Sequence, residues 1–483
     1  MDMQFTDEQI QELFGNEAAE NESPERLREY YVKNEIYDQV HALLPLRLLV
    51  GHKGVGKSAL LRISAFENEQ AGTLCVNIRP DDVAGIGEST DQILVLIREW
   101  KEGLLRLIAS KVLQSFGSES DGILDKAKSI GGRLIDVLQE TLKNVQKVNL
   151  SEARNVLLEK FAKDRRIVVY IDDLDRGWQG RKQDIVRVSA LLNAVRDLSG
   201  DNPGLSFKIG LRSDVYFLAR TSDESTDKIE GSVVWHRWTN HQIFILLVKR
   251  IETYFGRKVD ESNLMSQRQA NLARYLDGLM DSRFEGTGKW EGAPIYRILM
   301  SLIRRRPRDL VKLLTLAGKS ARKNKHTKMQ TNDFKDVFEE YSQGRIQDTV
   351  NEYRSELPQI EKLLLSMRPS TKEKKTNSGF MYETAGLLAK LGDIMNQGTY
   401  NNAAGRKLDA KELAAFLYKI NFIVARKEVN GEILRKYFEE NRYLNSTLVD
   451  FGFDWEVHPA FRWALQPESI ADLFAKLALS ADE

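Results

Sequence analysis

The chain has 483 residues, more than one compact core usually holds, so two to four domains are expected. Lys plus Arg total 71 against 70 Asp plus Glu, which removes any global attraction to nucleic acid or to an anionic membrane and leaves only local surfaces for such partners. Apolar residues make up 42%, with no run of about 18 uncharged apolar residues to span a bilayer, and the acidic N-terminus lacks an apolar signal core; a cytoplasmic protein without membrane attachment is expected.

Residues 1–36 read as an acidic helical lead. Leu46–Val50 is a short apolar strand that runs directly into Gly51, Ala59–Phe66 has helical composition, and Gly72–Ile78 is the next strand. Cys75, the single cysteine, falls in that strand, so an intrachain disulfide and a cysteine zinc cluster are impossible; the six histidines show no HExxH spacing. Residues 90–163 are mostly helical by periodicity. Arg166–Ile171 is a strand ending in Asp172-Asp173-Leu174-Asp175, residues 182–198 are a helix, and Leu205–Leu211 is a strand ending in Arg212-Ser213-Asp214. Strands alternating with helices in this way predict an α/β unit with a parallel sheet covered on both faces and ligands at the carboxyl ends of its strands. From about residue 236 the pattern is helical through Leu316 and again over 331–366, and the polar stretch 368–379 reads as a linker or exposed loop.

Gly51-His52-Lys53-Gly54-Val55-Gly56-Lys57-Ser58 fits G-x-x-x-x-G-K-[ST] at every specified position. Glycines let backbone N–H groups wrap a phosphate, and the following helix presents its positive end to it. The motif assigns nucleotide contact to Gly51, Lys53, Gly54, Val55, Gly56, Lys57, Ser58 and Ala59, with Lys57 on the β- and γ-phosphates and Ser58 on Mg2+. The apolar run before Asp172-Asp173 predicts a strand adjacent to the P-loop strand with an acid at its tip; Asp172 would orient Mg2+ and Asp173 would polarise the attacking water. An aspartate there, where many related ATPases carry glutamate, points to slow hydrolysis. Asp175 with Arg176 reads as a loop-closing pair. No guanine-reading [NT]-K-x-D motif is present, so ATP is expected rather than GTP.

Arg212 stands where a polar residue at a strand end can sense the γ-phosphate, and equally where any loop turns to solvent. Arg304-Arg305-Arg306-Pro307-Arg308 opens a helix with proline near its first turn; Arg306 or Arg308 could reach back to phosphates, or could simply be a solvated helix end. From Arg304 to Lys328 ten Lys or Arg face one acid, Asp309, a local net of +9 that suits nucleic acid or an acidic partner but also a soluble helix surface.

With GHKGVGKSAL, VVYIDDLDR, GLRSDVY, Trp238-Thr239-Asn240-His241, RRRPRDL and the upstream segment Phe14–Glu22 in this order, the chain resembles the STAND and KAP-like group of ASCE P-loop ATPases, including bacterial ATPases of antiviral defence loci. That resemblance implies a P-loop NTPase core over 37–235, an α-helical lid over 236–345, the upstream segment near the adenine, and Arg306 or Arg308 as a second sensor. The last part, 346–483, looks similar to a helical or winged-helix domain, with helices at Leu413–Ile420 and Gly431–Glu440. The function so implied is Mg·ATP binding and hydrolysis by a regulatory subunit of anti-phage defence, a homo-oligomer acting on a separate effector protein. The alternative is a DNA-binding ATPase of initiator or loader type, using Arg304–Lys328 or the C-terminal domain.

Overall fold

The computed structural model describes residues 3–16, 19–88, 90–115, 166–202, 204–222, 224–286, 290–371, 373, 379–429, 432–441 and 452–466. The chain divides into two compact units, one of residues 33–236 and the other joining 1–32 to 237–483. The acidic lead, α1 (Asp7–Phe14) and α2 (Pro24–Tyr30), is thus part of the second unit, and α3 (Glu35–His41) opens the first.

The first unit is an α/β sheet domain. β1 (Leu46–Gly51), β2 (Leu74–Ile78), β3 (Ile167–Ile171), β4 (Leu205–Arg212) and β5 (Val233–Trp235) form one parallel sheet in the order β2-β3-β4-β1-β5. Every residue of β3 is buried, and β4 is buried from Leu205 through Leu211, the near-continuous apolar pattern of a parallel strand covered on both faces. α4 (Lys57–Gln70) follows β1, α7 (Ser213–Ser222) follows β4, and α5 (Ile93–Ser115) and α6 (Lys182–Asp201) pack on each other and share the apolar core with the strands. The helix expected beyond Ser115 lies outside the described residues. One expectation is corrected: β3 does not neighbour β1, because β4 is inserted between them. Strand order is set by how crossover helices pack, and no local pattern in the sequence encodes it.

Polar groups inside this sheet have assigned partners. The Tyr170 hydroxyl on β3 accepts from the Asn68 amide at 2.7 Å and shares a hydrogen bond with Ser64 Oγ at 3.0 Å, which fixes α4, and so the loop before it, against the sheet. Lys208 in the middle of β4 is fully buried and donates to the carbonyls of Ala42 and Leu44 behind α3. Burial, with Arg47 nearby, pushes its ammonium down to about 7.

In the second unit α1 packs on α8 (Asn240–Tyr254) and on α10 (Pro307–Lys323), with α9 (Ile295–Leu302) and α11 (Phe338–Tyr353) adding further helical layers. Beyond them β6 (Met381–Tyr382), α12 (Thr384–Asn396), α13 (Ala410–Lys419), β7 (Ile423–Val429), β8 (Glu432–Lys436) and β9 (Asp454–Val457) make a four-stranded antiparallel sheet, order β6-β9-β7-β8, carrying two helices. The helix expected at Leu413–Ile420 is present as α13. That expected over Gly431–Glu440 is corrected: Glu432–Lys436 is a strand paired with β7, burying Ile433 and Arg435 and exposing Leu434, a period of two rather than 3.6. Strand, two helices and a hairpin in this order match the winged-helix plan, with β9 added between β6 and β7.

This sheet and the helices before it enclose charges. Asp309 is held by Arg304 through Nε to Oδ2 at 2.8 Å and Nη2 to Oδ1 at 3.0 Å, and also by Arg345; Arg304 donates further to Thr349 Oγ1 at 2.9 Å. Glu456 on β9 is gripped by Arg435 and by Arg462, the latter at 2.7 Å. Burial pushes both carboxyls up, but their arginines more than offset it, so both lie below the ordinary carboxylate range. No helix of the described residues is long and apolar enough to cross a membrane.

Candidate nucleotide-binding site

The site is built at the carboxyl ends of β3, β4, β1 and β5, four neighbouring strands. After Val50 the chain turns through residues 51–56 into α4, with Gly54 at φ +84° and Gly56 at φ +97°, a left-handed conformation that excludes most side chains. Gly51 has a different reason: a Cβ there would press on Val55 Cγ2 at 3.0 Å and on the His236 carbonyl at 3.1 Å. Gly56 caps α4 without a side-chain hydrogen bond, so the first N–H groups of the helix are left to whatever sits in the loop. Lys57 is half-buried and donates to the carbonyls of Gly51 at 2.9 Å and His52 at 3.1 Å, folding its ammonium over the loop. Lys53 is exposed, Val55 is buried in the floor of the turn, and Ala59 is half-buried in the first turn of α4.

Asp172 and Ser58 meet although their strands are not neighbours. The Ser58 hydroxyl is hydrogen-bonded to the Asp172 carboxylate, which passes over β4 at Gly210; a Cβ at Gly210 would collide with Asp172 Oδ1. Gly210 is therefore part of the site, and its only trace in the sequence is an isolated glycine within an apolar strand. Burial pushes Asp172 up to about 6, partly offset by Ser58 and Lys57. Asp173 follows it, exposed, with φ +59°, a left-handed conformation that aspartate tolerates better than most residues.

Arg212, at the tip of β4, is one residue beyond the buried strand. Its Nε and Nη2 donate to Asp214 at 3.0 and 2.6 Å, and its Nη1 lies 3.2 Å from Asp175 of the loop after β3. The pair expected between Asp175 and Arg176 is thus corrected: Asp175 bonds to Arg212, while Arg176 is exposed. Two buried histidines complete the floor. His52 Nδ1 is 3.1 Å from Ser213 Oγ, joining the loop to the end of β4, and His236 at the end of β5 lies under Gly51 and Gly56. Burial, with Lys57 close by, lowers His236 to about 3, so it stays neutral. Neither histidine was singled out in the sequence, where β5 is too short to register.

The described residues contain no cluster of three or more metal-ligating side chains. What fits Mg2+ is the donor set of a P-loop: one hydroxyl, Ser58, and one carboxylate, Asp172, already oriented toward each other, with phosphate oxygens to supply the rest. The wrapped glycines, uncapped helix start and folded-over Lys57 likewise fit the phosphates of a nucleotide.

Arg306 and Arg308 belong to the second unit. Arg306 precedes α10, is buried, and pairs with Glu352 at 3.0 Å; Arg308 is half-buried in the first turn. The run from Arg304 to Lys328 is not one solvated face, which corrects that reading. Arg304 and Arg306 point inward because the turn before α10 faces the carboxylates of Asp309 and Glu352, and the exposed cations collect at the other end, in Lys319, Arg322, Lys323, Lys325 and Lys328. The upstream segment also lies in the second unit: Gly15, at φ +76°, is closed in by Glu22, Tyr30 and Arg250.

Comparison with known proteins adds the following. The family model of the FunZ-associated C-terminal helical domain matches residues 242–350, less than half of the chain. A putative transposon gamma-delta 80.3 kDa protein of Escherichia coli (strain K12) is 22% identical over 396 residues, 74% of this chain and 53% of that protein, so the chain spans about half the length of this curated relative. Among solved structures, the Aeropyrum pernix ORC1 protein in complex with DNA aligns with a TM-score of 0.36 and 14% identity over 92% of this chain and 95% of that one. The Aeropyrum pernix ORC2 protein (ADPNP-ADP complexes) aligns with a TM-score of 0.32 and 10% identity over 93% and 91%. At these scores the likeness carries no weight about ligands. Residues 33–236 thus form an α/β unit whose parallel sheet presents a glycine loop with the geometry to wrap a phosphate group.

Proposed function

We propose that the chain binds Mg·ATP at residues 51–59 and hydrolyses it slowly, using the nucleotide state as a switch. The observation that carries this reading is the meeting of Ser58 and Asp172 across Gly210, directly beside Lys57 and the glycine loop. Lys57 would leave the carbonyls of Gly51 and His52 for the β- and γ-phosphates, Ser58 and Asp172 would hold the metal, and Asp173 would orient water. Bound Mg2+ would supply charge neutralisation on the phosphate oxygens. Arg212 would report the γ-phosphate to the loop after β3 through Asp175, and Arg306 or Arg308 is proposed as the second sensor.

The test is turnover and calorimetric Mg·ATP binding by the full chain and by Lys57→Ala. Loss of phosphate-tail contact should weaken binding and reduce hydrolysis by on the order of 10²-fold or more, in the range found when one transition-state donor is removed. Equal turnover in the two proteins would reject the site.

The finer assignment is a homo-oligomeric regulatory subunit of bacterial anti-phage defence, acting with a separate effector protein; its support is the resemblance carried by the sequence motifs. A DNA-handling ATPase is the second reading, favoured by the strand-helix-helix-hairpin order of residues 381–436 and by a relative named for a transposon. Oligomer mass with and without ATP, beside duplex binding by Asp173→Asn, separates the two.

A further inference from the structure

A cavity of about 700 Å³ lies wholly within the unit of residues 1–32 and 237–483, a volume in the range that suits a nucleotide-sized ligand. It opens between the end of α8, the turn at 273–278 and the loop that follows α10. Phe255, Arg257, Arg274, Tyr275, Thr327 and Lys328 give it its chemistry.

Two features of these residues point the same way. The Arg257 guanidinium lies over the Phe255 ring at 4.8 Å and that of Arg274 over the Tyr275 ring at 5.2 Å, so the cavity presents two cation-on-aromatic pairs. Charge is unevenly compensated. Arg257 is held by the buried Glu252 carboxylate, with Nε to Oε2 at 2.8 Å. Arg274 has no carboxylate partner among the described residues, its Nη2 lying 3.5 Å from the Tyr275 hydroxyl. Lys328 donates to the Asp277 carbonyl at 2.6 Å and forms no ion pair among the described residues, although it lies in the field of Asp281.

We propose that this cavity binds single-stranded nucleic acid, with phosphates on Arg274 and Lys328 and a base stacked at the Arg274–Tyr275 pair. Cations alone would serve any polyanion. Flat guanidinium and aromatic planes add a surface that a base covers fully and an acidic side chain does not, and single strands are held by this pairing of basic groove and stacking platform. The proposal is independent of the P-loop reading, since no residue of the site at 51–59 takes part.

The experiment uses the full chain, a fluorescein-labelled 15-mer of thymidine and a mixed-sequence 15-mer, read by anisotropy at 50 and 200 mM KCl. Arg274→Glu with Lys328→Glu should raise Kd at least 10-fold and reduce the slope of log K against log salt by about 1.4, two phosphates at roughly 0.7 each. Tyr275→Leu should raise Kd about fivefold or more, at the lower end of what one stacked base contributes. Arg98→Glu with Lys182→Glu, exposed in the other unit, should leave Kd within twofold, and Lys57→Ala should leave it unchanged. Thermal melting of each variant confirms that it folds. Absence of binding at 50 mM KCl, or variants that bind like the unmutated chain, overturns the proposal. So does an oligoglutamate peptide that competes as well as the oligonucleotide, or a duplex that binds equally and loses equally in the variants.

Discussion

The two units bury their polar groups by opposite rules. In residues 33–236 the sheet interior is apolar, Lys208 is the one fully buried charged side chain within a strand among the described residues, and carboxylates gather at the strand tips beside the glycine loop. In the second unit the interior itself is ionic: Arg304, Asp309 and Arg345 in one network, and Arg435, Glu456 and Arg462 in another. A parallel sheet satisfies its backbone internally and needs no side-chain ions, so its charges collect at the strand tips, where a ligand can meet them. Short helices and a small antiparallel sheet leave gaps that long arginines fill, and those charges are committed to each other. Sequence composition alone, with arginines common to both, does not tell the two uses apart.

Cutting a committed charge should be the most damaging change. Asp309→Ala strands Arg304 and Arg345 in the interior, and denaturant melts should show a loss of about 3–5 kcal/mol. If it costs under 1 kcal/mol, the network is solvated and the contrast between the units fails. Second in size, Gly210→Ala displaces Asp172 from Ser58; Mg-dependent ATP turnover should fall on the order of 100-fold, as misplaced catalytic groups do, while the crowding of Leu61 costs about 1–3 kcal/mol in denaturant melts. Tyr170→Phe removes one of the two anchors of α4, its bonds to Asn68 and Ser64, and should cost about 1–3 kcal/mol, with a smaller loss of turnover because Leu60, Leu61 and Ile63 still bury the helix.

The smallest effect concerns pH. Lys208 has a folded-state value of about 7, below its ordinary 10.5, so the unfolded chain binds more protons between these values and stability should rise with pH across that window. Denaturant midpoints of the unmutated chain measured against Lys208→Met at pH 7 and pH 9 should therefore shift toward the unmutated chain at the higher pH. A constant difference would mean that the ammonium is hydrated rather than buried.

The glycine loop, the acid-tipped β3 and the alternation of strands and helices were legible because each rests on residues close in sequence. Ser58 and Asp172 were legible as two ligands of one metal ion, but Arg212 with Asp175 and His52 with Ser213 were not, since each pair is made by the order of strands, and that order placed β4 where β3 was expected beside β1. Gly210 left a readable mark, an isolated glycine in an apolar strand, but its reason lies on another strand. In the C-terminal part the alternation of Ile423–Val429 and Glu432–Lys436 around an Asn-Gly pair is a hairpin signal that outweighs the helical composition of 431–440. The inward turn of Arg306 had no local signal, because Glu352 comes from a helix some forty positions away, whereas that of Arg304 is set by the nearby Asp309.

Arg212 has a mechanical consequence. With Asp214 almost wholly enclosed and Asp175 mostly so, the two carboxylates and the guanidinium between them act as a latch fastening the loop after β3 to the first turn of Ser213–Ser222. Ions in bulk solution reach such a latch poorly, so it should hold at salt concentrations that dissolve surface pairs, and only an anion delivered into the site itself can prise it open.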